Sequence, residues 1–146
     1  MRVLVVEDDL RMARLLKQGL GEEGHVVTLV TDGTEALEMA RSCSFDVVVL
    51  DVDNGPEPLV TSRNATLYST QGLKRLQTCL SADGVALLWS GFESPAFEAA
   101  AERAGFTVRC EPFRRERADL FHYTYVLAKD RTAERRAAGY QKLTML

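Results

Sequence analysis

FDVVVLDVDNGPEP, residues 45–58, begins with an apolar, β-branched run that ends at Asp51. A run of this kind is typical of a strand that is buried on both faces of a parallel sheet. Similar runs at residues 3–6, 26–30 and 85–89 are separated by amphipathic segments. Strands that alternate with helices predict an α/β fold, in which a doubly wound and mostly parallel sheet lies between two helical layers.

Capping residues predict where the helices begin. Asp9 precedes a helix over residues 10–20, and Asp32 with Glu35 three positions later resembles a capping box for a second helix. Two further helices are predicted to follow Ser69 and Ser94 and to bury these side chains: Leu73, Leu76 and Leu80 in the first, and Phe97, Ala100, Ala101 and Ala104 in the second. The segment before Ser69 is predicted to be a long loop, since it contains Gly55, Pro56 and Pro58.

The last two predicted strands, residues 106–110 and 121–127, are close together in the chain. Only residues 111–120 separate them, including a proline and the charged run RRER, whereas a parallel crossover with its helix needs at least about 10–12 residues. We therefore predict an antiparallel hairpin at one end of the sheet. Residues 131–146 are predicted to form either an amphipathic helix, with Ala133, Ala137 and Tyr140 inward, or an unpacked tail.

Composition and charge exclude several functions. The chain has 146 residues, enough for one domain, and its formal net charge of −3 disfavours nucleic-acid binding. No apolar run approaches the roughly 18 residues of a membrane span and the acidic N-terminal region is unlike a signal peptide, so we expect a cytoplasmic protein without a membrane partner. Three cysteines and two histidines are too sparse for a zinc site, and we expect the cysteines to be buried apolar residues.

One glycine motif is a false signal. GLGEEG, residues 19–24, matches the dinucleotide-binding pattern G-x-G-x-x-G. That pattern binds a pyrophosphate only after a strand and at the start of a helix, where backbone N–H groups face the anion. Here it follows a predicted helix and precedes a strand, so it is interpreted as a helix end with a turn, and no nucleotide cofactor is expected.

Three acids form the constellation that carries chemistry. Glu7 and Asp8 end the first strand and Asp51 ends the third, so neighbouring parallel strands would bring their carboxylates to one crevice at the carboxyl edge of the sheet. Crowded carboxylates repel one another, and a hard divalent cation such as Mg²⁺ relieves that repulsion. The alternative is that these acids are solvated loop residues without a ligand.

These features together resemble the first half of a response-regulator receiver domain, which has a flavodoxin-like fold and acts in phosphorelays. The resemblance covers residues 1 to about 51 and rests on LVVEDD, LRMARLLKQGL, GHVVTLVTDGTEALEMA and FDVVVLD. It implies that Glu7 and Asp8 are the metal-binding acid pair and that Asp51 is the phosphoacceptor. It also implies that the backbone carbonyl of Asp53 completes the shell of a Mg²⁺ ion.

The receiver pattern stops after Asp51. A receiver continues with a Met-Leu-Pro-like turn, an Asp-Gly, a hydroxyl residue after the next strand and a Lys-Pro after the fifth. Ser90 is the candidate for the hydroxyl position, whereas Lys129 ends a strand predicted to be antiparallel and so lies at the opposite edge from Asp51. Because a cation that would contact the phosphoryl oxygens is missing, we expect impaired phosphotransfer.

From about residue 45 to 130 the chain instead resembles the C-terminal half of a spermidine-synthase-like, S-adenosylmethionine-dependent methyltransferase fold, which is Rossmann-like. VVVLDVDNGPEPLV, NATLYSTQGLKRLQTCLSADGVALLWS, SPAFEAAAERAGFTV and HYTYVLA carry this resemblance. That fold ends in an antiparallel hairpin, in agreement with the loop-length argument. Its glycine-rich cofactor loop and ribose-binding acid belong to the first half of the fold, which is absent here.

Both resemblances share a parallel β2-β1-β3 core, and VVVLD fits both. We therefore predict one α/β domain over residues 1–130, made of a receiver-like half (1–51) and a methyltransferase-like half (52–130), with strand order 2-1-3-4-6-5 and an antiparallel sixth strand. The leading hypothesis is an engineered or recombined fold chimera that is not an enzyme. The alternatives are a degenerate receiver with Mg²⁺ and a vestigial phosphoacceptor, or a transferase using S-adenosylmethionine. The chain is expected to be a monomer, or a homodimer through an exposed apolar face or its C-terminal tail.

Overall fold

A computed structural model describes residues 1–51, 62–114 and 121–130 of the chain. Within them a six-stranded sheet has the order β2-β1-β3-β4-β6-β5. The strands are β1 (Arg2–Glu7), β2 (Val26–Val30), β3 (Phe45–Asp51), β4 (Leu80–Ser90), β5 (Thr107–Arg114) and β6 (Phe121–Ala128). The helices are α1 (Leu10–Glu22), α2 (Gly33–Met39), α3 (Ser62–Tyr68), α4 (Thr70–Cys79) and α5 (Pro95–Arg103).

The strand order confirms the prediction. β1 pairs in parallel with β2 and β3, and β3 pairs in parallel with β4. β6 is antiparallel to both of its neighbours, β4 and β5. The short connection between β5 and β6 therefore does form a hairpin, and the fold is α/β with one reversed strand.

Two boundaries were predicted wrongly in the second half of the chain. Residues 62–68 form α3, whereas the glycine and prolines upstream had predicted one continuous loop. Leu80 was predicted to lie on the last turn of α4, but it is extended and begins β4, which is longer than residues 85–89. Leu80 is buried in both arrangements, so its hydrophobicity alone could not distinguish them.

The sheet has a different helical layer on each face. The larger core lies between the sheet and the four helices α2 to α5, and contains Leu4, Leu50 and Leu88 from the strands. On the other face, alternate strand residues such as Val3, Val47 and Leu87 form a second core, to which α1 contributes Leu16 and Leu20. This doubly wound arrangement agrees with the predicted three layers.

All four predicted capping residues do cap helices. The side chain of Asp9 accepts hydrogen bonds from the first turn of α1, and Ser69 and Ser94 do so for α4 and α5. Asp32 caps α2, but its Glu35 partner accepts from the N–H of Thr31, one residue before the expected position in a capping box. These caps fix where each helix leaves the sheet edge.

α2 and α3 contact each other through a buried hydrogen bond that links the two halves of the chain. The side-chain oxygen of Asn64, which is fully buried, accepts from the backbone N–H of Gly33 at 2.9 Å. A Cβ atom on Gly33 would lie 2.9 Å from the Cβ of Leu67, so glycine permits this close approach. The contact is specific in both shape and polarity.

The remaining expectations have mixed outcomes. GLGEEG ends α1 and leads into β2, with Gly24 at φ 83°, so the interpretation as a helix end is confirmed. Cys43, Cys79 and Cys110 are free thiols, of which Cys79 is buried and the other two are half-buried. No helix in the described ranges is long and apolar enough to cross a membrane. The predictions for the loop of Gly55, Pro56 and Pro58 and for residues 131–146 lie outside the described residues.

Candidate functional site

The carboxyl edge of the central strands brings two of the predicted site residues together. β1 and β3 are parallel neighbours, and Glu7 is the register partner of Asp51. Both residues follow strand positions whose side chains alternate between the two cores. Val5 and Val49 belong to the face that carries α1, so Glu7 and Asp51, two positions further on, project to that same face.

Glu7 is a buried acid whose two oxygens have different surroundings. Only 4% of the residue is exposed, although it is the last residue of its strand. Its Oε1 accepts a hydrogen bond from the backbone N–H of Asp9 at 2.9 Å. Its Oε2 is buried and has no hydrogen-bond donor. A buried carboxylate oxygen without a donor is costly, so this atom favours either a proton or a bound cation.

The pKa values of the pair point to one shared proton. Burial raises the pKa of Glu7 to about 8, and the negative charge of Asp51 adds to the rise, while the bond from Asp9 opposes it. Burial also raises the pKa of Asp51 to about 6, although a hydrogen bond with Glu7 lowers it. Near neutral pH, Glu7 holds the proton and donates it toward ionised Asp51, which is the usual solution for two crowded carboxyls.

The two acids that follow Glu7 have separate roles. Asp8 is exposed, and its charge raises the pKa of both Glu7 and Asp51. The carboxylate of Asp9 caps α1, and hydrogen bonds from the N–H groups of Met12 and Arg11 lower its pKa. Thus Asp8 adds negative charge near Glu7 and Asp51, whereas the carboxylate of Asp9 is used to cap α1.

The predicted metal site is only partly assembled. Within residues 1–51, 62–114 and 121–130, no group of three or more Asp, Glu, His or Cys side chains is arranged to hold a metal ion. Asp53, whose carbonyl was expected to complete the site, lies outside the described residues. Glu7 and Asp51 nevertheless fit Mg²⁺, which is commonly held by one or two carboxylates with the rest of its shell as water. The buried oxygen of Glu7 without a donor supports that fit.

Ser90 is not on the same face as the carboxyl pair. Leu50 and Leu88 are register partners in the larger core, so strand alternation assigns Ser90 to that face as well. The Ser90 hydroxyl donates to the carbonyl of Phe92 at 2.6 Å and accepts from the N–H of the same residue. The structure therefore engages this hydroxyl in a turn rather than directing it toward Asp51.

Trp89, which the sequence pattern did not single out, projects to the face of the sheet that carries α1, Glu7 and Asp51. It follows Leu88, the register partner of Leu50, and therefore lies beside Asp51 on the neighbouring strand. Its ring stacks on the ring of His122 from β6, with centroids 4.5 Å apart. Counting strand positions from the apolar residues of β4 would have revealed this, because Trp89 has the parity of Val85 and Leu87.

Lys129 lies at the opposite edge of the sheet from Asp51, as predicted. Its Nζ donates to the carbonyl of Leu80 at 2.6 Å. Leu80 is the register partner of Phe45, at the beginning of β3, whereas Asp51 is at the end of that strand. Within the described residues Lys129 therefore serves the start of β4 and not the carboxyl pair.

Comparison with known sequences supports the first of the two resemblances. Residues 3–54 match the sequence model of the response regulator receiver domain family. The transcriptional regulatory protein TcrA of Mycobacterium tuberculosis is 49% identical over 51 residues, which cover 35% of this chain. That region spans only 20% of TcrA, so the chain matches a small part of its relative.

Comparison with solved structures shows a Rossmann-like fold. A methyltransferase from Pyrococcus furiosus has a TM-score of 0.57 and 16% identity, over 87% of this chain and 74% of its own. A response regulator from Burkholderia pseudomallei, solved with a phosphorylated aspartic acid, a calcium ion and citrate, has a TM-score of 0.51 and 23% identity, over 71% of this chain and 55% of its own. A spermidine synthase has a TM-score of 0.52 and 16% identity, over 88% and 53%. At these identities the likenesses concern the fold alone. The chain thus has a receiver-like N-terminal sequence within a fold similar to that of methyltransferases.

Proposed function

We propose that this chain is a recombined or engineered hybrid of two α/β folds, without an evolved catalytic activity, and that its carboxyl pair binds a divalent cation. The observation that carries the cation proposal is the register pair of buried Glu7 and half-buried Asp51, with one Glu7 oxygen lacking a donor. The hybrid origin is supported by a receiver match that ends at residue 54, in a chain whose fold resembles methyltransferases over 87% of its length.

Mg²⁺ is the cation that suits this carboxyl pair best. The two carboxyls supply hard oxygen ligands, and Asp8 adds negative charge near the pair. Glu7 and Asp51 would hold the ion, and its charge would neutralise the repulsion that the shared proton otherwise relieves. Binding therefore releases that proton from Glu7, and the affinity for Mg²⁺ should increase with pH up to about 8.

The cation proposal is tested by titrating the full-length protein with Mg²⁺ at pH 8 and following amide NMR shifts. We expect saturable shifts at Glu7, Asp8 and Asp51, which Glu7→Gln and Asp51→Asn each abolish. Glu38→Gln removes one carboxylate from an exposed position of α2 and serves as the matched control. Unchanged shifts at the three acidic residues would refute the proposal.

A weak phosphoacceptor activity is the second candidate, favoured by the position of Asp51 beside Glu7. The Asp51 carboxylate would attack the phosphorus of a small donor such as phosphoramidate, which forms an acyl phosphate and breaks the phosphorus–nitrogen bond with release of ammonia. Mg²⁺, when bound, would neutralise charge on the phosphoryl oxygens. Lys129 and Ser90 do not assist, since each is engaged elsewhere, so phosphorylation should be slow.

Mass spectrometry after incubation with phosphoramidate and Mg²⁺ tests this second candidate. A single phosphoryl adduct that maps to Asp51 and is absent from Asp51→Asn would support it. An unmodified wild-type protein would exclude it, while leaving the cation site to be judged by NMR. A transferase that uses S-adenosylmethionine is the least supported function, because Glu7 ends β1 and Asp8 and Asp9 follow it, in place of a glycine-rich loop. We expect calorimetry to detect no binding of that cofactor.

A further inference from the structure

Two of the three cysteines precede neighbouring strands at the edge of the sheet opposite the carboxyl pair. Cys79 is the last residue of α4 and directly precedes Leu80, the first residue of β4. Cys43 lies two positions before Phe45, the first residue of β3. Phe45 and Leu80 are register partners in the parallel pair of β3 and β4. The fold therefore brings both cysteines to the same end of the same two strands.

Both thiols also belong to the same core. Cys79 is 1% exposed and is part of the larger core, against which half-buried Cys43 packs. Burial raises the pKa of Cys79 to about 11, and the charge of a Cys43 thiolate adds to that rise. Because Coulomb interactions weaken with distance, this effect indicates that the two sulfurs are near each other.

The backbone spacing suits a covalent link between the two sulfurs. Neighbouring strands are about 4.8 Å apart, and consecutive Cα atoms are about 3.8 Å apart. One step from Leu80 and two from Phe45, made toward the same core, keep the Cα atoms of the two cysteines within reach of the roughly 4.4–6.8 Å that a disulfide spans. The strand register therefore favours a link that needs little movement of the backbone.

We propose that Cys43 and Cys79 form a redox-sensitive pair, which a hydroperoxide oxidises to a disulfide. The Cys43 sulfur attacks one oxygen of hydrogen peroxide, the O–O bond breaks, and the products are a Cys43 sulfenic acid and water. The Cys79 sulfur then attacks the Cys43 sulfur, and the hydroxyl group leaves with the Cys79 proton as a second water. The two thiols lose two electrons and two protons, and the peroxide is reduced to water.

The surroundings of the two thiols assign the order of these steps. Cys43 is partly exposed, so it meets the oxidant first. Cys79 donates its thiol hydrogen to the carbonyl of Leu76 at 3.0 Å inside the core, which shelters it from an oxidant in solution and suits it to the second step. The ammonium of Lys129, hydrogen-bonded to the carbonyl of Leu80, lowers the pKa of Cys79 and thereby opposes the effect of burial.

Cys110 is the matched control, since it is half-buried like Cys43 but lies on β5. In the sheet, β5 is three strands away from β3 and two away from β4, which corresponds to about 14 and 10 Å. Both separations exceed the span of a disulfide. Cys110 is therefore expected to stay outside the reaction of the pair.

Peptide mapping of the full-length protein after treatment with hydrogen peroxide tests the proposal. We expect a cross-linked pair of peptides that holds Cys43 and Cys79, forms within one chain and is lost on reduction with dithiothreitol. Cys110→Ser should give the same cross-link, and Cys43→Ser should give none. A cross-link that involves Cys110 or joins two chains, oxygen adducts on Cys43 with Cys79 still a thiol, or unmodified thiols would each overturn the proposal.

Urea denaturation provides a second test that does not depend on recovering peptides. A cross-link between Cys43 and Cys79 restricts the unfolded chain, so the oxidised wild type should unfold at a higher midpoint than the reduced protein. Cys43→Ser should show the same midpoint with and without peroxide, and Cys110→Ser should behave like the wild type. A midpoint of the oxidised wild type equal to or below that of the reduced protein would contradict the proposed geometry.

Discussion

Replacing Glu7 with glutamine is expected to stabilise the protein at alkaline pH and to flatten its pH dependence. In the wild type, the pKa of Glu7 is raised from an ordinary value of 4.5 to about 8, so the folded state binds a proton more tightly than the unfolded state does. The stability that this proton contributes is fully present below pH 4.5 and is lost as the pH rises through about 8. Glutamine keeps the shape of the side chain but has no proton to lose.

The magnitude follows from that interval. At about 1.36 kcal/mol for each pH unit between 4.5 and about 8, the ceiling is about 5 kcal/mol. Water that reaches the sheet edge and the shared titration with Asp51 reduce this figure, so we expect about 2–4 kcal/mol. For a chain of this size, each kcal/mol corresponds to roughly 2–4 °C in Tm.

The assay is urea denaturation of the wild type and Glu7→Gln at pH 5 and pH 8.5, with EDTA present to remove divalent cations. We expect the variant to gain its advantage at pH 8.5 and to lose most of it at pH 5. Glu38→Gln, at an exposed position, should track the wild type at both values. A wild type whose free energy of unfolding exceeds that of Glu7→Gln at pH 8.5 would refute the reasoning.

Four other substitutions test the packing that positions the site. Gly72→Ala would place a Cβ 2.0 Å from the carbonyl oxygen of Thr66 and should lower the free energy of unfolding by about 3 kcal/mol or more. Gly19→Ala, with no atom within 4 Å of its Cβ, should raise the free energy of unfolding by about 0.5–1 kcal/mol. Thermal denaturation distinguishes the two variants. Asn64→Leu removes the acceptor for the first N–H of α2 and should lower the free energy of unfolding, measured by urea denaturation, by about 1–3 kcal/mol. An unchanged free energy of unfolding would show that this contact between the halves is dispensable. Lys129→Met removes the hydrogen bond to Leu80 at the sheet edge opposite Asp51 and should lower the free energy of unfolding by about 1–2 kcal/mol, while the Mg²⁺ titration stays unchanged. A weaker affinity for Mg²⁺ would contradict the placement of Lys129.

The sheet could be predicted from sequence because its determinants are local. Each strand has its own apolar run, four of the five helices in the described residues have a capping residue, and the ten residues before Phe121, which include a proline and a charged run, disfavour a crossover helix. The start of β4 could not be predicted in the same way. Leu80 is buried whether it ends a helix or begins a strand, and the register shift in β3 between Phe45 and Val47 accompanies its pairing with Phe45.

The candidate site was predicted in part. The pairing of Glu7 with Asp51 follows from two strands that end in acids at neighbouring positions of the sheet. Ser90 was proposed from its place after an apolar run, but the face of a strand residue depends on register, and a difference of one position reverses it. That reversal leaves Trp89, and not a hydroxyl, on the side of Asp51. Register requires a partner strand, which is information that a single run of residues does not contain.

The reversed direction of β6 has a consequence for redesign. In a wholly parallel sheet, the residue following the last strand would arrive at the same rim as Asp51, and a lysine placed there could serve an incoming phosphoryl group. Here that rim receives the beginning of β6, while the end of the strand delivers Lys129 to the other side of the molecule. Installing a cation for phosphoryl chemistry would therefore require a new basic side chain near His122 or Thr124, and relocating Lys129 within its own segment would not achieve it.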